Sequence, residues 1–122
     1  VIQGTLKLGP TSAPEPDVHI FDVPEGTPDS ELPRPVLVVE VSDRTFRRDS
    51  GIKLRIYAEA GIPEYWIINL KERRIAVCRD PHNPTGTARG WAYRDIRHVM
   101  PGQSITPLSL PGETIAVDEM LP

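Results

Sequence analysis

The sequence predicts an α/β fold with a mixed central β-sheet, and three features of the chain support this prediction. Residues 36–41 form a valine-rich apolar run, which is typical of a strand that is covered on both faces. Residues 46–60 show helical spacing of apolar side chains. Strand-like runs lie both before and after this helix, an order that is typical of an α/β domain.

The part of the chain before the helix predicts three strands and two loops. Residues 1–8 alternate weakly between apolar and polar and predict a first strand. A proline-rich loop over residues 9–16 leads to a short strand at 18–22. Prolines and a glycine make residues 24–35 a surface loop, after which the strand at 36–42 begins.

The helix predicted over residues 46–60 has apolar residues four positions apart. This spacing predicts that one face is buried, formed by Ile52, Ile56 and Ala60 and widened by Leu54 and Tyr57. Gly61 supplies a C-terminal stop, and Pro63 prevents the helix from continuing.

The second half of the chain reads as strands and loops. A strand at 65–70, a charged turn at 71–73 and a strand at 74–78 predict an antiparallel hairpin, with Trp66 in the core. Residues 82–90 predict a polar loop and residues 91–99 an edge strand. The tail predicts short extended pieces that end near residues 115–117.

Composition narrows the class of protein. The 122 residues are enough for one core and not for two, and 39% apolar with 25% charged residues is typical of a soluble globular chain. No apolar stretch approaches the ~20 residues that span a bilayer, so we expect no membrane partner. The single cysteine, Cys78, excludes a disulfide framework and favours a cytoplasmic protein. The net charge of −3 does not predict constitutive nucleic-acid binding.

Three residues are the candidates for chemistry: Asp17 at a loop–strand junction, Glu40 inside the valine-rich strand and Lys53 on the helix. A carboxylate in a buried strand costs several kcal/mol (roughly) unless a cation or hydrogen-bond donor receives it. Neighbouring strands lie about 4.8 Å apart, so acids on two strands can share a divalent cation such as Mg²⁺ or Mn²⁺. Such a site polarises phosphoryl oxygens, and Lys53 would orient a water or stabilise developing charge.

Each candidate also has a purely structural interpretation. Pro16-Asp17 is a common turn dipeptide. Glu40 could instead form a structural ion pair with an arginine, Arg34 or Arg55.

The helix residues are open to the same alternative. Lys53 could extend along the helix flank and pair with Asp49 one turn earlier. Asp49 and Tyr57 lie four residues on either side of Lys53 and therefore share its face. They would support the lysine, although Tyr57 could equally serve only in helix packing.

The residues at several of these positions resemble one family. Pro16-Asp17-Val18, the run 38–42, Asp49 with Lys53, and above all the run 57–69 resemble the Uma2 family, a bacterial group of endonuclease-like proteins within the PD-(D/E)XK nuclease superfamily. The resemblance implies a restriction-endonuclease-like domain over residues 1–122. It also implies that this chain lacks the family's N-terminal helix, so that the domain is truncated at that end.

The resemblance also implies roles for individual residues. Asp17 and Glu40 match the two metal-binding acids, and the backbone carbonyl of Val41 matches a third ligand. Ser42 stands where the superfamily carries its lysine, so Lys53 on the helix becomes the candidate catalytic lysine. The implied activity is hydrolysis of phosphodiester bonds in nucleic acid, foremost DNA, with Mg²⁺ or Mn²⁺ as cofactor.

Three other functions fit the same residues: a non-catalytic interaction or dimerisation module, a nuclease that acts on RNA, and a hydrolase of a small phosphorylated ligand. A homodimer is also compatible with the sequence. The basic residues between positions 44 and 55 would contact phosphate, or else form a solvated helix surface, and the sequence does not decide between the two.

Overall fold

A six-stranded mixed β-sheet organises the chain in the computed structural model, which describes residues 5–8, 17–43 and 46–122. Its strands lie in the order in which they occur along the chain: β1 (Thr5–Leu8), β2 (Asp17–Val23), β3 (Leu37–Ser42), β4 (Glu64–Asn69), β5 (Arg74–His82) and β6 (Ala92–Val99). The parallel pair is β3 with β4, and every other neighbouring pair is antiparallel. The predicted mixed sheet is therefore confirmed.

The parallel pair requires a crossover, and the helical stretch between β3 and β4 supplies it. This stretch consists of α1 (Phe46–Arg48), a π-helical turn (Asp49–Lys53, hereafter the π segment) and α2 (Leu54–Glu59). It ends as the sequence predicts, with Gly61 at φ 75°, where a residue without a Cβ is favoured. The π segment was not predicted, because the spacing of apolar residues does not distinguish i+5 from i+4 hydrogen bonding.

The sheet is covered on both faces, as the valine-rich run predicts. On one face Leu37, Val39 and Trp66 join an apolar cluster that also includes residues of the C-terminal tail. On the other face Val38 and Tyr65 pack against Leu54, Ala58 and further residues around the helical stretch. Trp66 is 2% exposed, which confirms its predicted place in the core.

The predicted buried face of the helix is wrong for its central residues, whereas Leu54 and Tyr57, which were expected to widen that face, do pack against the core. Ile52 and Ile56 are 53% and 55% exposed, and Ala60 is also exposed. The buried residues of α2 are Leu54 and Ala58. They are also four positions apart, but each lies two positions away from the central residues of the predicted face. A π turn contains more residues than an α turn. It therefore rotates the side chains that follow it relative to the positions that regular α-helical spacing predicts.

The other differences lie after β4. The hairpin of β4 and β5 and the edge position of β6 are confirmed, but β5 extends to His82 and takes in the start of the predicted loop. The tail forms a two-stranded ribbon of β7 (Ser104–Ile105) and β8 (Ile115–Ala116), followed by a short helix that was not predicted, α3 (Val117–Met120). Residues 1–4 of the predicted first strand and the predicted loop 9–16 lie outside the described residues.

Candidate active site

The centre of the site is the carboxylate of Glu40, which is 0% exposed in the middle of β3. Lys53 donates from Nζ to Oε2 of Glu40 at 2.8 Å, and Tyr57 donates from its hydroxyl to Oε1 at 2.6 Å. Both carboxylate oxygens therefore receive a donor from the helical stretch. These contacts offset part of the desolvation cost of a buried charge.

The structural alternative for Glu40 named the wrong partner. Among the described residues its salt bridge is with Lys53. Arg34 instead donates from Nη1 to the backbone carbonyl of Ala60 at 3.1 Å, and Arg55 forms no ion pair in the described part of the chain. The ammonium that pairs with Glu40 thus belongs to Lys53, the residue that the sequence analysis names as the candidate catalytic lysine.

Asp49 brings a second buried carboxylate to the same group of residues. It is 0% exposed, and its Oδ1 lies 3.5 Å from Nζ of Lys53, four residues later in the chain. Lys53 therefore lies between two acids while its own side chain stays 24% exposed. The expected common face of Asp49, Lys53 and Tyr57 is confirmed, and the π segment carries two of its three members.

Tyr65 supports this arrangement from β4, and sequence reasoning assigned it no role. Its hydroxyl donates to the backbone carbonyl of Asp49 at 3.1 Å, and its ring lies 4.8 Å from that of Tyr57 between centroids. Burial, followed by the negative charges of Glu40 and Asp49, raises the pKa of Tyr65 far above its ordinary value. The hydroxyl therefore remains protonated and anchors the π segment to the sheet.

Asp17 is placed by strand register. It is the first residue of β2 and the direct partner of Glu40 in the antiparallel pairing of β2 with β3. Val41, whose carbonyl the resemblance names as a ligand, follows Glu40 in β3, and the buried Ser42 comes next. The structure describes the backbone pairing of Asp17 but not its side chain.

A third buried carboxylate, Glu64, was missed. It is 0% exposed and accepts hydrogen bonds from Arg79, from Nε1 of Trp66 and from the backbone amide of Leu108. The sequence held a signal for it, because the hairpin register that pairs Asn69 with Arg74 also pairs Glu64 with Arg79. This pair lies on the face of the sheet away from the helical stretch.

These features define the class of protein: an α/β protein with a restriction-endonuclease-like sheet and a buried acid–lysine site at the crossover. The model of the Uma2 family, described as "Putative restriction endonuclease", matches residues 1–118, and the chain belongs to that family. A search of curated proteins found no match. No helix in the described part of the chain is long and apolar enough to cross a membrane.

Proposed function

We propose that this chain hydrolyses phosphodiester bonds of nucleic acid, with DNA as substrate and Mg²⁺ or Mn²⁺ as cofactor. The observation that carries the proposal is the placement of Glu40, a fully buried carboxylate whose register partner is Asp17 and whose salt-bridge partner is Lys53. A chain that needed only packing at this position would gain stability from an apolar residue. Membership of a family of nuclease-like proteins supports the same activity.

The donors present fit a hard divalent cation. Asp17, Glu40 and the carbonyl of Val41 would supply oxygen ligands, which Mg²⁺ and Mn²⁺ prefer. Among the described side chains no group of three or more His, Cys, Asp or Glu is placed to hold a metal ion, so the proposed site depends on Asp17. When bound, the cation would polarise a phosphoryl oxygen and lower the pKa of a water molecule.

The remaining chemistry falls to the residues of the helical stretch. Lys53 would place its ammonium beside the phosphoryl group and compensate the charge that develops there. Asp49 would help to keep Lys53 at this position, since its Oδ1 lies 3.5 Å from the ammonium. Tyr57 would hold Oε1 of Glu40 and so fix the plane of the carboxylate.

Calorimetric titration of Mn²⁺ tests the proposal directly. The wild-type chain, Asp17→Ala and Glu40→Ala would be titrated in parallel, with Glu113→Ala as a control that removes one exposed carboxylate. We expect binding and a raised melting temperature for wild type and control, and loss of both effects in the two site variants. Circular dichroism would show that each variant is folded.

A substrate assay then separates the nucleic acids. DNA and RNA would be incubated separately with Mg²⁺ and with the wild-type chain, Lys53→Ala or Glu113→Ala. We expect the wild type and Glu113→Ala to cleave DNA, and Lys53→Ala to lose this activity. Folded wild type that neither binds Mn²⁺ nor changes its melting temperature would contradict the proposal. That result would favour a non-catalytic interaction module.

A further inference from the structure

A second concave site lies on the face of the sheet opposite to Glu40. It is a cavity of about 490 Å³ between β5, β6 and the segment that contains β7. Its apolar lining comes from Val77, Val99 and Ile105, which belong to the cluster on the face away from the helical stretch. The volume lies in the range of small-molecule sites, roughly 300–1,000 Å³.

One wall of the cavity is Arg79, and a buried network fixes its guanidinium. Glu64 accepts hydrogen bonds from Nε of Arg79 at 3.0 Å and from Nη2 at 2.8 Å, and Nη2 also donates to the carbonyl of Thr106 at 2.6 Å. Its Nη1 forms no hydrogen bond with any residue that the structure describes. A preoriented guanidinium with an unused edge at a cavity wall is suited to receive an anion.

A second cation lies on the neighbouring strand. Arg97 lines the cavity, is exposed, and forms no hydrogen bond or ion pair within the described ranges 18–43 and 47–122. Asp95 also lines the cavity and is the register partner of Arg79, but it forms no ion pair with either arginine among the described residues. The cavity therefore places two guanidinium groups and the carboxylate of Asp95 over an apolar floor. Its remaining lining is polar and consists of His98, Gln103, Ser104 and Thr106.

We infer that this cavity binds a phosphate-bearing small molecule of nucleotide size. Two arginines on adjacent strands match the oxygens of a phosphoryl group, which guanidinium groups bind in a bidentate manner. The carboxylate of Asp95 would accept a hydrogen bond from an O–H or N–H group of the same ligand. Val77, Val99 and Ile105 would cover an apolar ring. The site is separate from the proposed hydrolytic centre and does not depend on it.

Titration without divalent cations tests this inference, because hydrolysis at Glu40 is then excluded. The probes are adenosine 5′-monophosphate, inorganic phosphate and adenosine. We expect the nucleotide to bind at least tenfold more tightly than either fragment. If inorganic phosphate bound as tightly as the nucleotide, the cavity would still be a site for a phosphoryl group, but its ligand would be free phosphate.

Arg97→Gln and Arg94→Gln form a matched pair of variants on β6. Both remove one exposed cation, but Arg94 lies outside the cavity, 3.3 Å from the carboxylate of Asp80. We expect Arg97→Gln to weaken nucleotide affinity at least tenfold and Arg94→Gln to leave it unchanged. Equal weakening by both variants would show binding to general surface charge and overturn the inference. Absence of binding of every probe to the wild-type chain would overturn it too.

Discussion

Nζ of Lys53 lies 2.8 Å from Oε2 of Glu40, so that the cation of the helical stretch and the buried acid of β3 form one charge pair. A divalent cation that bound Oε2 of Glu40 would have to displace the ammonium or share this oxygen with it. Lys53 therefore supplies the positive charge beside Glu40, and it would compete with the cation of the proposed reaction for this carboxylate.

Lys53→Gln tests this competition. The variant keeps a hydrogen-bond donor but removes the positive charge, so we expect Mn²⁺ to bind about tenfold more tightly, which is ~1.4 kcal/mol. Hydrolysis of DNA would fall even though the metal binds better, because no ammonium compensates the phosphoryl charge. Calorimetry and a cleavage assay measure the two effects separately. Arg47→Gln, which removes an exposed cation from α1, is the control.

The apo form of Lys53→Gln would also be less stable. Breaking a buried ion pair costs about 3–5 kcal/mol, and we expect roughly 2–3 kcal/mol here because Lys53 is 24% exposed. Urea unfolding measures this loss, and Mn²⁺ should restore part of it. Weaker Mn²⁺ binding in folded Lys53→Gln than in wild type would contradict the competition.

Glu64→Gln distinguishes a structural carboxylate from the proposed metal ligand. Glu64 is as buried as Glu40, but its partners are Arg79 and two further donors on the opposite face of the sheet. We expect its neutralisation to lower the free energy of unfolding by about 2–4 kcal/mol, because Arg79 loses its counter-charge. Mn²⁺ affinity would remain that of the wild type, whereas Glu40→Gln would lose it. Loss of Mn²⁺ binding in folded Glu64→Gln would show that the two carboxylates act together.

The sequence predicts an element of this fold well when a local pattern of residues determines that element. The valine-rich strand β3 and the β4–β5 hairpin are local patterns, and both are confirmed. Glu40 was found because a carboxylate contradicts the apolar pattern around it. The buried face of the helix was found only in part: Leu54 is buried as predicted, but Ile52 and Ile56 are exposed. The spacing of apolar residues in the sequence does not reveal the π segment, which changes the helical register.

A pair of alanine substitutions tests the corrected helix face. Leu54 is 7% exposed and Ile56 is 55% exposed, although both lie in α2. We expect Leu54→Ala to lower the free energy of unfolding by about 2–5 kcal/mol through the cavity that it leaves. Ile56→Ala should change it by no more than about 0.5 kcal/mol, since the side chain contributes little burial. Equal losses of free energy in urea unfolding would show that Ile56 belongs to the buried face, as the sequence predicts.

Cys78 provides a prediction about alkaline pH. Burial, with a smaller contribution from the charge of Asp95, raises the pKa of its thiol from 9.0 to about 12. Above pH 9 the unfolded chain therefore releases a proton that the folded chain retains. The unfolded state then binds fewer protons, so stability falls as pH rises, by up to about 1.4 kcal/mol per pH unit until the folded thiol also ionises.

Comparison with Cys78→Ala separates this effect from most of the contribution of the buried tyrosines Tyr65 and Tyr93. Burial is the main cause of their raised pKa values, and the charge of Cys78 is a smaller one. Urea unfolding under reducing conditions would be measured from pH 8 to pH 10.5. At pH 8 the variant has the lower free energy of unfolding, because it lacks part of a buried side chain. We expect the free energy of unfolding of the wild type to fall by about 2 kcal/mol relative to that of the variant over this range. Parallel stability curves would contradict the raised pKa and would indicate that the folded thiol ionises as readily as the unfolded one.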